Sequence, residues 1–286
     1  MHRTFLASLL AAALVSSPVL AAPELWEVRD DDSAVWLFGS FHILPEGTAW
    51  RTELFDIVLR DADSVVFEAD VRPAAQMNLT AEALARGIYT DGTLLTKMLD
   101  EGTTEQLHDV TDELGIGFGI IAAMRPWFAA NTLSVAGIMA AGYSGEGVEF
   151  VLQPELDDER IGFLETGMEQ LDLLANAPPE EQLAFLQSTL EEMPKLPKML
   201  SKLLRHWTEG TPEELAALFL GEGGGFEDEF LERLIYARNR NWIPQLEARL
   251  ATNDQSLIVV GAAHLVGEGS VLDLLEKAGY EVVQIQ

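Results

Sequence analysis

The sequence contains two similar segments, one near each end, and this repetition restricts the folds that the chain can adopt. Residues 35–42 read VWLFGSFH and residues 257–264 read LIVVGAAH, so each is an apolar run followed by Gly-x-x-His. An apolar run of this length bounded by glycine is typical of a buried strand, and the glycine permits either a sharp turn or a close approach to another group. Open α/β sheets bind ligands beyond the carboxyl ends of their strands. The pattern therefore predicts that His42 and His264 lie at strand ends and share one site.

The similarity between the two segments continues after each histidine. The first is followed by a helical pattern at residues 51–60 and an apolar run at 64–68, and the second by a helical pattern at 271–277 and an apolar run at 279–283. Strand, helix and strand in this order form a βαβ unit with a right-handed crossover. We therefore expect an α/β fold whose mixed β-sheet is built from two related strand-GxxH-helix-strand halves.

The segment between the two halves is mainly helical in its pattern. Residues 73–86 and 103–114 show helical spacing of apolar residues, and Thr103 has the form of a capped helix start. The strongly apolar stretch 118–143 is interrupted by arginine and proline, which favours a buried helix or helix pair over a membrane span. We predict a large helical insertion within a single domain at residues 22–286.

A glycine-rich stretch at 221–225 predicts a loop, and residues 226–250 then form a long amphipathic segment. A shorter apolar run at 160–165 ends in Glu165 and is expected to form another strand. Two prolines, Pro194 and Pro197, are expected to divide the helical region before the loop.

Charge and cysteine content exclude several classes of function. The 286 residues carry a formal net charge of −29, which repels phosphate backbones and makes nucleic acid an unsuitable partner. The chain has no cysteine, which excludes disulfides, thiolate metal sites and a lipoprotein attachment site. The sequence does not define the oligomeric state.

The first 21 residues have the pattern of a secretory signal peptide. Arg3 provides a short positive region, residues 5–15 are apolar, and small residues precede a cleavage point after Ala21. We therefore expect a periplasmic or secreted protein that has no stable membrane span once the signal is removed.

Three residues have the composition of a divalent-metal site. His42, His264 and Glu68 provide two imidazoles and a carboxylate, each predicted at the end of an apolar run. This set of ligand types binds divalent metals in hydrolases, where the metal makes water more acidic. Each imidazole also has the simpler interpretation that it caps local backbone groups, and Glu68 the interpretation that it is an exposed strand terminus.

Three further residues are candidates for catalysis. Glu165 is a further ligand or a general base, or it forms an ion pair to a helix. Arg238 and Asn239 are candidates for stabilising a developing oxyanion, and we expect both to face the cleft. If Arg238 has this role, its replacement by lysine lowers turnover much more than stability. The other two mature-chain histidines, His108 and His206, are expected at the surface.

The chain resembles the TraB/GumN family, which is related to the Tiki metalloproteases that act on Wnt proteins. The matching segments are residues 36–42, 66–68, 163–166 with 169–170, 238–242 and 261–267. The first segment has Ser40 where the family usually has threonine.

The resemblance implies a metal-dependent hydrolase, and specifically a peptidase with a peptide or protein substrate. It places His42, His264 and Glu68 at a central cleft and suggests manganese or cobalt as the metal. Two alternatives stay open. One is a non-enzymatic protein that binds a peptide or a metal complex such as haem or iron, and the other is a metal-independent hydrolase whose two histidines act as acid and base.

Overall fold

The computed structural model describes residues 22–30, 33–221 and 228–286. The predicted signal peptide at residues 1–21 and most of the predicted loop at 221–225 lie outside the described residues.

The described strands form one large mixed sheet and one small ribbon. The strands of the six-stranded sheet are β1 (Leu25–Arg29), β2 (Ala34–Ser40), β4 (Ser64–Phe67), β6 (Ile161–Phe163), β7 (Ser256–Gly261) and β8 (Glu281–Gln284). Their order across the sheet is β6-β4-β7-β2-β1-β8. The ribbon pairs β3 (Ile43–Leu44) with β5 (Gly145–Glu146). Strands β6, β4, β7 and β2 are parallel, whereas β1 is antiparallel to both β2 and β8.

The helices surround this sheet, and most of them lie between β4 and β7 in the sequence. They are α1 (Glu53–Asp61), α2 (Pro73–Gly87), α3 (Glu101–Glu113), α4 (Phe118–Ala122), α5 (Pro126–Ala140), α6 (Val148–Leu152), α7 (Gly167–Ala175), α8 (Pro179–Glu192), α9 (Leu196–Glu209), α10 (Pro212–Phe219), α11 (Asp228–Leu231), α12 (Ala237–Ala251) and α13 (Val271–Ala278). The predicted α/β class with a mixed sheet and a large helical insertion is confirmed.

The two similar segments lie side by side in the sheet. Strands β2 and β7 are parallel neighbours, with a register that runs from Val35↔Ser256 to Ser40↔Gly261. Helix α1 connects β2 to β4, and α13 connects β7 to β8. Each half therefore consists of a strand, a Gly-x-x-His turn, a helix and a second strand.

The alternation of side chains along the strands divides the core between two faces of the sheet. Phe38 and Phe67 face a cluster formed with α1, α6, α9 and α10. Leu37 and Val66 face the opposite cluster, formed with α12 and α13. Because side chains alternate with a period of two, strands covered on both faces have continuous apolar sequences. A third cluster unites α3, α4, α5 and α8, so the helical insertion has a core of its own.

The predicted start of α3 is wrong. The helix begins at Glu101, and the Asp100 carboxylate caps it by accepting a hydrogen bond from the Thr103 N–H at 2.7 Å. An aspartate at this position satisfies a free backbone donor of the first turn, so the helix starts before Thr103.

The apolar stretch at 118–143 forms the helix pair α4 and α5, which separates at Arg125 and Pro126. Across residues 22–30, 33–221 and 228–286, no helix has the length and hydropathy needed to cross a lipid bilayer.

Candidate active site

Four neighbouring parallel strands bring polar side chains to one edge of the sheet. Glu165 follows the end of β6, Glu68 follows β4, His264 follows β7, and His42 follows β2. The carboxyl ends of parallel strands meet at the same edge, so residues far apart in sequence are brought together. The N–H of Glu165 donates to the carbonyl of Glu68 at 3.0 Å, which joins the ends of β6 and β4.

The glycine of the second motif is required for close approach. The N–H of Gly261 donates to Glu68 Oε1 at 2.6 Å. A β-carbon at Gly261 would lie 3.1 Å from Glu68 Oε1 and 3.3 Å from His42 Nε2. Because its φ angle is −52°, the backbone itself does not require glycine. Of the two roles that the sequence left open, the contacts favour close approach of Glu68 and His42.

His42 is oriented by Glu149, a buried residue in the first turn of α6. The imidazole Nδ1 lies 2.9 Å from Glu149 Oε1, and the Ser40 hydroxyl donates to the same oxygen. This contact assigns a proton to Nδ1, and Nε2 lies beside Gly261, as Glu68 Oε1 does. The other oxygen of Glu149 is buried and has no hydrogen-bond partner among the described residues.

Sequence reasoning missed Glu149. It lies in the helix 148–152 with four apolar neighbours, VEFVL. A carboxylate within such a segment is costly to bury unless it has a partner. An isolated glutamate among apolar residues was therefore the sequence signal that could have identified Glu149.

His264 is oriented from the opposite side by Asn239. Its Nδ1 donates to Asn239 Oδ1 at 2.6 Å, and Asn239 Nδ2 donates to the Gly269 carbonyl at 2.8 Å. The hydrogen bond to Asn239 places a proton on Nδ1 and leaves Nε2 of the neutral imidazole unprotonated. Nε2 lies 3.7 Å from Glu68 Oε1. Asn239 is completely buried and both ends of its amide have partners, so its contacts assign it to the positioning of His264.

Arg238 lies at the centre of the charged cluster. Its Nη2 donates to both Glu68 and Glu165, and its Nε donates to Glu165 at 3.0 Å and 3.2 Å. Its Nη1 donates to the Leu234 carbonyl at 2.9 Å and lies 3.0 Å from His264 Nε2. One buried guanidinium thus neutralises two carboxylates.

Leu234 belongs to a π-helical turn, Glu232–Tyr236, that precedes α12. Turns of this type interrupt the regular hydrogen bonding of a helix and occur frequently at functional sites. The Leu234 carbonyl accepts from the Arg238 side chain, so the turn helps to hold the guanidinium in place.

Glu165 and Gln170 complete the cluster. Glu165 forms the ion pair with a helix that the sequence analysis included among its alternatives. Gln170 Nε2 donates to Glu165 at 2.9 Å and to Glu68 at 3.2 Å, and it was not among the predicted site residues. His108 stacks on Phe118, and His206 contacts Thr211, so neither is part of this cluster.

The two histidines have opposite shifts of their pKa. The negative charge of Glu149 raises the pKa of His42, whose side chain is 60% exposed, to about 9. Burial lowers the pKa of His264 to about 3, so this imidazole is neutral at pH 7. Burial acts to raise the pKa of Glu68, but His264, Arg238 and His42 outweigh it and lower that pKa to about 2. Because His264 is neutral at pH 7, Arg238 and His42 supply the positive charge beside Glu68 there.

The donor types at this site suit a divalent metal. Two imidazole Nε2 atoms and a carboxylate match the preferences of zinc, manganese and cobalt, and metal-bound histidines are commonly oriented through their other ring nitrogen. Among the described residues, however, no three His, Asp or Glu side chains are arranged as a metal cluster. Arg238 Nη1 approaches the Nε2 atom of His264 that a cation would use. A cation would therefore bind there only with the guanidinium withdrawn from His264 and with the Nε2 proton of His42 displaced, since the raised pKa of His42 leaves that imidazole protonated at pH 7.

These features define a class of α/β protein in which parallel strands bring two histidines and two glutamates to a common edge. The chain belongs to the TraB/PrgY/gumN family, whose family model matches residues 24–284. Neither the curated proteins nor the solved structures include a significant match to the chain.

Proposed function

We propose that this protein is a metal-dependent hydrolase that cleaves peptide bonds. The proposal is carried by the convergence of His42, Glu68 and His264 at the ends of three adjacent parallel strands. Both imidazoles are held through Nδ1. Nε2 of His264 lies 3.7 Å from Glu68 Oε1, and Nε2 of His42 lies beside Gly261 together with the same oxygen. The expected relationship of the family to Tiki metalloproteases supports a peptide or protein substrate and a manganese or cobalt ion.

Each residue has a distinct role in this proposal. His42, His264 and Glu68 would hold the metal, which when bound supplies positive charge that polarises a carbonyl and makes water more acidic. Arg238, once withdrawn from His264, would donate to the developing oxyanion of the substrate. Glu165 lies beside Arg238 and would accept a proton from the attacking water. The signal-like residues 1–21 support a periplasmic or secreted location.

Metal analysis of two matched double variants tests the site. We expect the His42→Ala/His264→Ala variant to lose the divalent metal that co-purifies with the unmodified protein, and to lose peptide hydrolysis. The control is His108→Ala/His206→Ala, which removes two histidines outside the cluster. This variant should retain both the metal and peptide hydrolysis. Equal metal content in the two variants would contradict the metal site.

A second candidate function is metal-independent hydrolysis, and the position of Arg238 favours it. The guanidinium already neutralises Glu68 and Glu165 and contacts His264, in the space where a cation would act. Hydrolysis that persists after complete chelation of metals, and that is lost in the His42→Ala/His264→Ala variant, would support this second function.

A further inference from the structure

We propose that an apolar cavity beside the candidate active site binds the long alkyl chain of an acylated substrate. The cavity has a volume of about 540 Å³ and is lined mainly by Leu, Met and Phe side chains. His42 and Leu234 both line it, and the Leu234 carbonyl accepts a hydrogen bond from Arg238. The cavity thus adjoins the site at His42. This inference rests on the proposed function, because the acyl carbonyl at the end of the chain would be the group that is hydrolysed.

The cavity is long enough for an extended chain. Lining residues span 131–138 in α5, 185–192 in α8 and 196–203 in α9. With a rise of about 1.5 Å per residue, each of these segments borders the cavity over about 10 Å. A ligand that fills it therefore extends along two turns of each helix.

The size of the cavity argues against a single side chain as its occupant. An apolar protein cavity of about 150 Å³ is sufficient to bind a benzene molecule. The volume of about 540 Å³ is more than three times larger and lies within the range of about 300–1,000 Å³ that is typical of small-molecule sites. One aromatic or aliphatic side chain of a substrate would leave most of it empty.

The polarity of the lining argues against a peptide segment. A peptide backbone brings N–H and carbonyl groups that are costly to bury without partners. The Thr189 hydroxyl already donates to the Phe185 carbonyl, and Glu192 already accepts from Lys195. An alkyl chain has no polar groups to satisfy, so it fits this lining best.

Binding of a series of neutral ligands tests the proposal. N-acylglycinamides of increasing chain length are titrated calorimetrically into the full-length protein with a chelator present. We expect the affinity to rise about fourfold with each added methylene, and then to level off once the cavity is full. A parallel series of monoacylglycerols distinguishes a lipid ester from an acylated peptide as the source of the chain. Affinity that is independent of chain length, or tighter binding of leucine-rich peptides, would overturn the proposal.

Two tryptophan substitutions on α5 locate the binding. Ser134 lines the cavity, whereas Val135 is the next residue, is absent from the lining and is 39% exposed. We expect Ser134→Trp to weaken binding of the longest chain by about tenfold or more, which corresponds to one or two excluded methylenes, and to shift the plateau to shorter chains. Val135→Trp should bind as the unmodified protein does. Equal affinities in the two variants would contradict the assigned cavity.

The outcomes of the two proposals are separable. The chain-length series with the unmodified protein does not depend on how well a variant folds, and it does not require turnover. Chain-length-dependent binding in the presence of chelator, with no hydrolysis of the same ligands after manganese or cobalt is restored, would retain the cavity assignment and contradict the proposed function. Peptide hydrolysis together with a binding affinity that does not depend on chain length would retain the proposed function and contradict the cavity assignment.

Discussion

At the scale of single residues, each histidine of the repeated motif is held by a side chain that the motif does not contain. Glu149 holds His42 across 107 positions of sequence, and Asn239 holds His264 across 25. One partner is a carboxylate and the other is a neutral amide. The charge of Glu149 beside His42 and the deeper burial of His264 together explain why the two similar motifs have histidines with different protonation at pH 7.

Replacement of Glu149 by glutamine tests the first of these contacts. Glutamine retains the size of the side chain but removes the charge that orients and polarises His42. If His42 binds a metal, we expect the affinity for manganese or cobalt to fall about 10–100-fold, as measured by competition with a metal-sensitive dye. The control is Glu146→Gln, in an exposed position three residues away. Equal affinities in the two variants would show that Glu149 does not support a metal site.

Arg238 is expected to contribute to stability as well as to function. Its side chain is 11% exposed and contacts two buried carboxylates. The sequence-based expectation that turnover falls much more than stability applies to Arg238→Lys, which keeps a positive charge at this position. We expect Arg238→Met to lower the free energy of unfolding by about 3–5 kcal/mol, because it leaves buried charges without a partner.

Urea unfolding with a matched variant tests this expectation. Arg240 lies two residues along the same helix and forms an exposed pair with Glu232. We expect Arg240→Met to leave the unfolding midpoint essentially unchanged, because exposed ion pairs contribute little. Similar unfolding midpoints for the two variants would show that the buried ion pairs of Arg238 do not stabilise the folded state more than an exposed pair does.

At the scale of secondary-structure elements, the ends of the strands determine how closely the site is packed. Gly261 ends β7, and both Glu68 Oε1 and His42 Nε2 lie close to the position that a β-carbon at Gly261 would occupy. We expect Gly261→Ala to lower metal affinity or hydrolysis at least about tenfold, because the new methyl group displaces both atoms by a few tenths of an ångström or more. Gly119→Ala is the control, since a β-carbon at that helical position meets nothing within 4 Å. Full activity of Gly261→Ala would show that close approach is not required.

The strands and their ends could be predicted from sequence because their signals are local. Continuous apolar runs indicate strands covered on both faces, and the repeated Gly-x-x-His indicates where two of them end. This reasoning was sufficient to predict that His42, His264 and Glu68 lie at a common edge. It also predicted β6 and the helix pair in residues 118–143, since each depends on its own composition.

Partners of the site residues could not be predicted in the same way. The contact between Glu149 and His42 depends on how α6 packs beside β2, and no local pattern encodes that distance. The sequence also did not indicate that Asn239 is buried behind His264 while Arg238, its neighbour, faces the carboxylates. A helix places successive residues about 100° apart, so a shift of one position changes which residue enters the site.

At the scale of the whole molecule, the excess of negative charge influences stability. The chain has 47 acidic and 18 basic residues, and self-repulsion of this kind destabilises a compact state. The effect is largest where a carboxylate is buried near another acidic group. Glu24 is such a residue, since it is only 9% exposed and Glu213 lies near enough to act on its pKa.

Glu24 is expected to make stability fall as the pH rises. Burial and the nearby charge of Glu213 raise its pKa from 4.5 to about 7 in the folded chain. Between these values the folded state binds more protons than the unfolded state, so the free energy of unfolding decreases with increasing pH. Above pH 7, the burial of ionised Glu24 lowers the free energy of unfolding by about 3 kcal/mol.

Urea unfolding of Glu24→Gln over a range of pH tests this contribution. Glutamine remains neutral, so the variant and the unmodified protein should have similar stability near pH 4.5, and the variant should become progressively more stable up to pH 8. Other groups, including His42, also titrate in this range, but they are present in both proteins and cancel in the difference. Glu214→Gln, an exposed change beside Glu213, controls for the loss of one negative charge from the surface. A constant difference between Glu24→Gln and the unmodified protein at every pH would show that folding does not raise the pKa of Glu24, and that the acidic excess does not act through this residue.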